Sequence, residues 1–599
     1  MNIESTPRST TGRDSTWIAV LAIFFLYGLA VSWQRWGNPL IDTGREMNVP
    51  LRLLNGETLY SDIRHIYGPL SPWVHAVLYG MFGPRLNVLY ADGVGCAAIA
   101  LALVYWLARQ LMAPAAAGIA ALNVMWLCVF KQSGNYVLPY SYNALHGTVI
   151  GLVTLAVLTR TLRVSRSEER TAAVMGGFLV AGLLAGLTML AKTEMGTAAG
   201  AAGIAAALIA PAPRSWRFQL LALFLAAAVS VVAATYGLIA TQVGWSTLVT
   251  DSWVLGYNVP RELATYNRHV SGLDRPLHSM WRILLACVKL GIVATLVAAA
   301  SAWTARTSPP WRALAVALGL GAVLSVTTGL DWDKGPYLAM PVLLTVFLLA
   351  LARDFLHRRL TLDSSLLLIY TVYALASLAR VIFHVQSGGA YGSYLLPVSI
   401  VIFTYWWMGP FAGAFAEAGT ARIARRIALA LLLLVAVGSA VLLGRQYRTR
   451  STIAIASSRG SMIAENDLGI AWNEALAYIA AHTQSGDPIV VLPEGTSLTF
   501  LSGRRNPLRE EIVTPGFLDA AGEARAIRQL QAAHPPLVLI ANRATAEFGP
   551  NAFGRDYCVS LMRWIESHYQ RCALFGPAKD SRLQIGDPRF FIRAYCAPR

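Results

Sequence analysis

Charge is what this sequence has least of. Lys, Arg, Asp and Glu together make up 14% of its 599 residues, where a soluble globular chain carries about 25%. The deficit excludes an ordinary soluble enzyme, a disordered chain and a nucleic-acid binder with a basic surface. Acids are the scarcer sign: 32 Asp and Glu stand against 49 Lys and Arg, a formal charge of +17. Six cysteines are too few for a disulfide-built scaffold. Internal repeats and low-complexity segments are not evident. A Gly-rich phosphate loop is missing too. Pro493-Glu494-Gly495-Thr496 follows an apolar run but has neither the GxGxxG nor the GxxxxGK spacing.

What the chain has in abundance is apolar sequence, 55% of its residues, in runs long enough to cross a bilayer. A spanning helix needs about 20 mostly apolar residues. The first run, 17–33, follows Arg8 and Arg13 and lacks a small-residue cleavage site, so it reads as a retained anchor. Others lie near 89–111, 115–130, 147–162, 172–190, 195–211, 218–241, 283–304, 313–330, 336–352, 364–384, 394–409 and 427–444. The expectation is a polytopic α-helical membrane protein with about thirteen transmembrane helices.

Basic residues in short loops set the sidedness. With residues 1–15 as a cytoplasmic tail, the inner loops hold Arg109, the group Arg160, Arg163, Arg166 and Arg170, then Arg214 and Arg217. Arg306 and Arg312, then Arg353, Arg358 and Arg359, then Arg422, Arg425 and Arg426 fall on the same side. The short outer loops hold only Lys131, Lys192, Lys334 and Arg380. The run 69–82 is too short to span, and counting it as a span would invert every later loop. It reads as an interfacial helix inside a first outer loop, 34–88. Residues 16–444 then form the membrane domain. Residues 445–599, where Gly, Pro and charges return, form an extracytoplasmic (periplasmic) α/β domain. Its buried strands are expected at 489–492 and 537–540, and its helices at 471–482, 521–533 and 556–570.

Chemistry-bearing residues gather near the outer boundaries. Asp42 lies just past the first span, and on a helix it shares a face with Glu46. A carboxylate that loses water becomes a better base; the plainer alternative is an ion pair with Arg45. Lys192, with Glu194 beside it, stands between two apolar runs. It either pairs with Glu194, snorkels, or holds an anion. Arg380 and His384 share a helix face, with Tyr391 and Tyr394 following. A guanidinium there suits a phosphate, and interface anchoring is the other reading. Asn143 and His146 begin a span and suit substrate contacts. Asp331 and Asp333 are a weak divalent-metal signal, because hard ions want about six or more oxygens. No metal ligands are assigned. The segment 241–282, with Trp253, Tyr257 and Tyr266, is long enough for a lid. Of the tail cysteines Cys558, Cys572 and Cys596, the pair Cys572 with Cys596 is expected to tie down the C-terminal strand.

The pattern Asp42-x-Gly44-x-Glu46, Gly56-Glu57-x-Leu59-Tyr60-x-Asp62 and Tyr67-Gly68-Pro69-Leu70 resembles the first outer loop of GT-C membrane glycosyltransferases. The branch it looks like is the protein mannosyltransferase and lipid A aminoarabinose transferase group. Pro493-Glu494-Gly495, Phe500-Leu501-Ser502-Gly503-Arg504-x-Asn506-Pro507 and Phe553-Gly554-x-Asp556-Tyr557 are similar to the outer tails of bacterial members. The resemblance implies a sugar donor carried on polyprenyl phosphate and handed over at the outer face of the cytoplasmic membrane. The acceptor would be a hydroxyl of a glycolipid, polysaccharide or protein. Asp42 would be the base, Lys192 and Arg380 would hold the donor phosphate, and Tyr67 would belong to the substrate site. Relatives often carry two adjacent acids where this chain has Asp42-Thr43, so Glu46 is only a candidate second carboxylate. Rival readings are a lipid or glycan transporter or flippase, an O-antigen ligase or polymerase, and a non-catalytic scaffold. Transporters tend to show paired broken helices and repeats, which are not apparent here.

Overall fold

The computed structural model of the protein describes residues 11–165, 171–251, 259–307, 311–328, 336–386, 391–580 and 582–598. Arg166, Arg170, Trp253, Tyr257 and the stretch from Asp331 to Lys334 lie outside the described residues. The chain opens with helices α1 (Thr11–Ser32), α2 (Thr43–Leu54), α3 (Leu70–Phe82), α4 (Leu86–Arg109), α5 (Pro114–Val124) and α6 (Tyr142–Val164). There follow α7 (Thr171–Ala191), α8 (Thr193–Ile209), α9 (Arg214–Val243), α10 (Arg261–Ser271), α11 (Pro276–Thr307), α12 (Trp311–Thr328), α13 (Met340–Leu356) and α14 (Leu362–Leu378). The last long helix is Ala418–Arg450.

Among the described residues, nine helices are long and apolar enough to cross a membrane. Pro114–Val129, Thr193–Ile209 and Trp311–Val323 are shorter apolar helices, so length alone supports fewer spans than the apolar runs predict. The shortening has local causes. Helix α5 passes into a π-turn, Met125–Val129, and α8 starts at Thr193 and stops before Pro211. The run near 394–409 is broken by Pro397, which opens a helix ending at Trp406. Large exposed apolar side chains sit on the long helices, among them Ile23, Phe218, Leu238, Leu349 and Val441. That is the surface a bilayer requires.

Helix α3 is the short run of the first loop. Its Ser71, Pro72, His75 and Tyr79 are buried, while Trp73, Val77 and Met81, each four apart, form an exposed apolar stripe. Helices α7, α8 and α9 pack closely because small residues face each other. Gly182 and Gly186 of α7, four apart, lie against Phe224, Ala227 and Ala228 of α9.

Beyond residue 450 the chain forms an antiparallel pair, β1 (Ser451–Ser457) and β2 (Gly460–Glu465), and a second sheet. The second sheet contains β3 (Ile489–Leu492), β4 (Leu537–Ala541), β5 (Gln570–Phe575) and β6 (Ile592–Cys596) in the order β3-β4-β6-β5. β3 and β4 pair in parallel, and β6 is antiparallel to both its neighbours. Every residue of β3 and β4 is buried, which explains their unbroken apolar sequences. Helices Asn466–His482, Ala520–Ala533 and Val559–His568 pack around the sheet. Cys572 of β5 and Cys596 of β6 are joined in a disulfide.

Candidate active site

Two turns of the first loop and the start of the C-terminal sheet domain meet at one place. Asn38 begins it, its side-chain oxygen accepting from the N–H groups of Leu40 and Ile41. The chain then turns into α2 at Asp42, whose φ of 58° is in the left-handed region. Such a backbone persists only where its surroundings hold it. The holding group is the Glu494 carboxylate, which accepts the Asp42 N–H at 3.1 Å. Gly44 fits because a Cβ there would come within 2.2 Å of the Ser497 nitrogen. Asn48 further along α2 donates to the Thr496 carbonyl at 2.7 Å.

The Asp42 carboxylate is 24% exposed and receives Arg45 Nη2 at 3.1 Å. Arg45 also binds Glu46, at 3.1 Å, and the Tyr140 carbonyl, and its guanidinium lies over the Tyr67 ring. Glu46 points away from Asp42's open side: it is buried and accepts the Tyr142 N–H at 3.0 Å, at the start of α6. Burial holds the Glu46 carboxyl above its usual range, with the Arg45 charge opposing.

Lys192 occupies the break between α7 and α8 and is 4% exposed. Its ammonium lies 3.9 Å from Glu194, 3.9 Å from the Tyr67 ring centroid and 5.0 Å from that of Tyr391. Arg380, in the short turn after α14, pairs with the same Glu194 and lies over the Tyr391 ring at 3.9 Å. It also donates to Asn267 of α10 at 3.3 Å. The Tyr67 and Tyr391 hydroxyls are 3.4 Å apart. A buried cation, Lys192, and a half-buried one, Arg380, therefore share one carboxylate, an imbalance that a bound anion would correct.

One cavity of about 930 Å³ joins most of these groups, with Glu46 outside its lining. Asp42, Arg45, Tyr67, Lys192, Glu194, Arg380, Tyr391 and Glu494 form its polar wall. Its apolar wall is a groove between α7, α8 and α9 that includes Met189, Gly200, Phe224, Leu225, Val229 and Val232. Tyr266 of α10 stacks on Phe548 of the tail with ring centroids 4.8 Å apart, and both line the cavity. Gly68 marks the tightest point of the wall. A Cβ there would meet the Leu190 carbonyl oxygen at 1.8 Å.

Besides Glu46, four sequence candidates lie elsewhere. The Asn143 amide donates to the Gly68 carbonyl at 2.9 Å and to the Ala191 carbonyl at 3.1 Å, behind the wall. Tyr394 stacks on Tyr136 and donates to the Asn135 carbonyl. His384 lines a separate pocket of about 210 Å³ beside His269 and Gln386. His146 faces Asp92 and His75. Each has a polar partner of its own, so an interesting residue at the start of a helix becomes a strut.

No family model and no curated protein sequence matches the chain. Solved structures do. ArnT from Cupriavidus metallidurans bound to undecaprenyl phosphate matches over 98% of both chains, at 12% identity and a TM-score of 0.52. The chain has the ArnT fold. The same enzyme in the apo state matches with a TM-score of 0.49 over 98% of both chains, at 12% identity. The archaeal oligosaccharyltransferase AglB from Archaeoglobus fulgidus, in complex with an inhibitory peptide and a dolichol-phosphate, covers 96% of this chain and 75% of its own. It is 13% identical with a TM-score of 0.46. ArnT and AglB are GT-C membrane glycosyltransferases.

Within this ArnT fold, sequence reasoning passed over Glu494, Arg543 and Glu547 of the tail, all of which line the cavity. Arg543 Nε binds the second Glu494 oxygen at 3.0 Å, and another of its nitrogens binds Glu547. Burial and the nearby Asp42 charge push the Glu494 carboxyl up to about 7, against the pull of Arg543. A signal was there to be used. An acid directly after the wholly apolar strand 489–492 and Pro493 is a charge carried on a buried scaffold.

Proposed function

We propose that the protein moves a sugar from a polyprenyl-phosphate donor to a hydroxyl acceptor on a glycolipid, polysaccharide or protein, at the outer face of the cytoplasmic membrane. The observation that carries this reading is the single cavity. It joins a partly exposed carboxylate, two cations that share one acid, and an apolar groove. The fold shared with ArnT supports it. In this arrangement residues 16–444 form the membrane part with the N-terminus in the cytoplasm, and residues 445–599 lie outside. The Arg-rich short loops support that sidedness.

In the proposed reaction the acceptor oxygen attacks the anomeric carbon. The bond from that carbon to the phosphate oxygen breaks, and the acceptor proton passes to Asp42. A general base of this kind contributes about 10²–10⁴-fold. The departing lipid phosphate gains negative charge, which Lys192 and Arg380 meet as fixed cations. Charge brought to this pair displaces Glu194 from its double role, so a phosphate competes with an internal carboxylate rather than with water. The groove between α7, α8 and α9 takes the isoprenoid tail.

The test is transfer by purified full-length protein across a panel of polyprenyl-phosphate sugars, with products weighed as membrane glycolipids. Asp42→Asn is expected to fold normally, since Asn tolerates positive φ, and to lose transfer by at least about 100-fold. Full activity of that variant overturns the base assignment. Lys192→Ala and Arg380→Ala are expected to raise the donor KM more than the acceptor KM, and equal effects on both would remove their phosphate role.

A further inference from the structure

Outside the cavity, His75 of α3, Asp92 of α4 and His146 of α6 converge on one point. His75 Nε2 and His146 Nε2 lie 2.9 and 3.0 Å from the same oxygen of Asp92, Oδ2. One ligand atom from each residue lies within 4.8 Å of the other two, and among the described residues this is the single cluster of three or more His, Cys, Asp or Glu so placed. We propose that these three side chains bind a divalent transition-metal ion of the zinc type, and that the ion pins α3 to α4 and α6.

The donor set selects the ion. Two imidazole nitrogens and one carboxylate oxygen suit zinc, whereas calcium and magnesium want about six or more oxygens. Bonds of about 2.0–2.2 Å in a tetrahedral site place neighbouring ligand atoms a little over 3 Å apart. The two measured edges of the triangle are close to that already. A metal-bound histidine needs its other ring nitrogen held, which fixes the tautomer. His146 Nδ1 has that partner in Ser71 Oγ at 2.9 Å, which leaves Nε2 to face Asp92. Ser71 comes from α3, so α3 supplies both a ligand and the group that orients another. Cys96, one turn beyond Asp92 on α4, has its sulfur 4.0 Å from the second Asp92 oxygen and stands outside the three-residue cluster. His75 is 1% and His146 7% exposed, while the Asp92 side chain, 15% exposed, leaves a way in. A carboxylate on a membrane helix is costly unless a cation or donors compensate it, and a divalent ion compensates it most strongly.

The site touches neither the cavity nor Asp42. His146 is one turn past Asn143, whose amide holds the Gly68 and Ala191 carbonyls. The ion therefore braces the wall from behind, whatever reaction the cavity supports. The test uses full-length protein in detergent, loaded with Zn²⁺, desalted, and assayed for metal by mass spectrometry. One tightly held zinc per chain is expected, with loss in His75→Gln and in His146→Gln, both of which keep a hydrogen-bond donor for Asp92. Zinc should raise the melting midpoint of the parent protein and leave that of the variants unmoved. Co²⁺ loading of the parent protein supplies a readout that needs no variant, the visible absorption of a four-coordinate ion. A parent protein that retains no zinc and shows no such band holds a metal-free hydrogen-bonded cluster, which overturns the proposal. So does equal zinc retention in parent and variants.

Discussion

Glu494 reaches the backbone of Asp42 across 452 residues of chain. Its raised pKa, about 7, makes the pair sensitive to pH near neutrality, and the sign follows from linkage. A carboxyl whose folded pKa lies above its unfolded value binds more protons folded than unfolded. Its contribution to stability is complete below about 4.5 and is lost as pH rises through about 7. Glu494→Gln is therefore expected to flatten the fall in melting midpoint over that window, measured by thermal unfolding in detergent. On the proposed reading, ionised Glu494 also accepts the Asp42 N–H in a charge-assisted bond and so holds the base in place more firmly. Transfer by the parent protein should rise through pH about 7, and the rise should be absent in the Gln variant. Asp42 and Tyr67 of the first loop, with Lys192 and Arg380 of two later turns, were legible in the sequence as candidates, and they do line one cavity. Glu494 was not, because its role arises from a contact between distant segments that no local spacing encodes. Asn143 and His146 were misleading for the opposite reason. Their position at the start of a helix is visible, but the carbonyls and carboxylate that occupy them are not.

At the scale of the element, α3 and the loop before it carry most of the geometry. The apolar run 69–82 was readable as a helix too short to span, and the structure gives it one buried and one exposed apolar face. If it lies on the membrane as proposed, a nitroxide at Val77 in reconstituted protein should relax readily with oxygen and poorly with an aqueous nickel chelate. The reverse pattern would lift the helix off the bilayer. The span count was less legible. Periodicity and length do not reveal a π-turn such as Met125–Val129 or an early stop such as that before Pro211. The close approach at Gly68 makes a second test of this element. Gly68→Ala must move either α3 or the Leu190 carbonyl, and overpacking of this kind costs about 1–3 kcal/mol. A lowered melting midpoint is expected, together with a raised donor KM, since Tyr67 and Lys192 flank the contact.

Across the whole molecule, the C-terminal domain is fastened to the first loop by buried charge. Arg52 of α2 binds Glu511 at 2.8 Å and the Leu508 carbonyl at 2.9 Å. Arg509 reaches back to the carbonyls of Tyr60 and Ser61. Removing one partner of a buried ion pair strands the other and costs about 3–5 kcal/mol. Arg52→Ala should therefore unfold at a markedly lower temperature, and Arg52→Met with Glu511→Leu should recover much of the loss. A double-mutant cycle on unfolding measures the coupling, and a coupling near zero would mean the domain is held by other contacts. The change of composition near residue 445 could be read from the sequence, but this docking could not. Its partners look like ordinary surface charges until the fold brings them together.

The groove has an open side. Leu225 and Val229 of α9 line the cavity and are 39% and 61% exposed. For a lipid-borne donor, that makes the entrance a doorway facing oil, and the tail can hang through it. Only the first few isoprene units would then be gripped, and carriers of quite different length should serve equally well provided their head groups match.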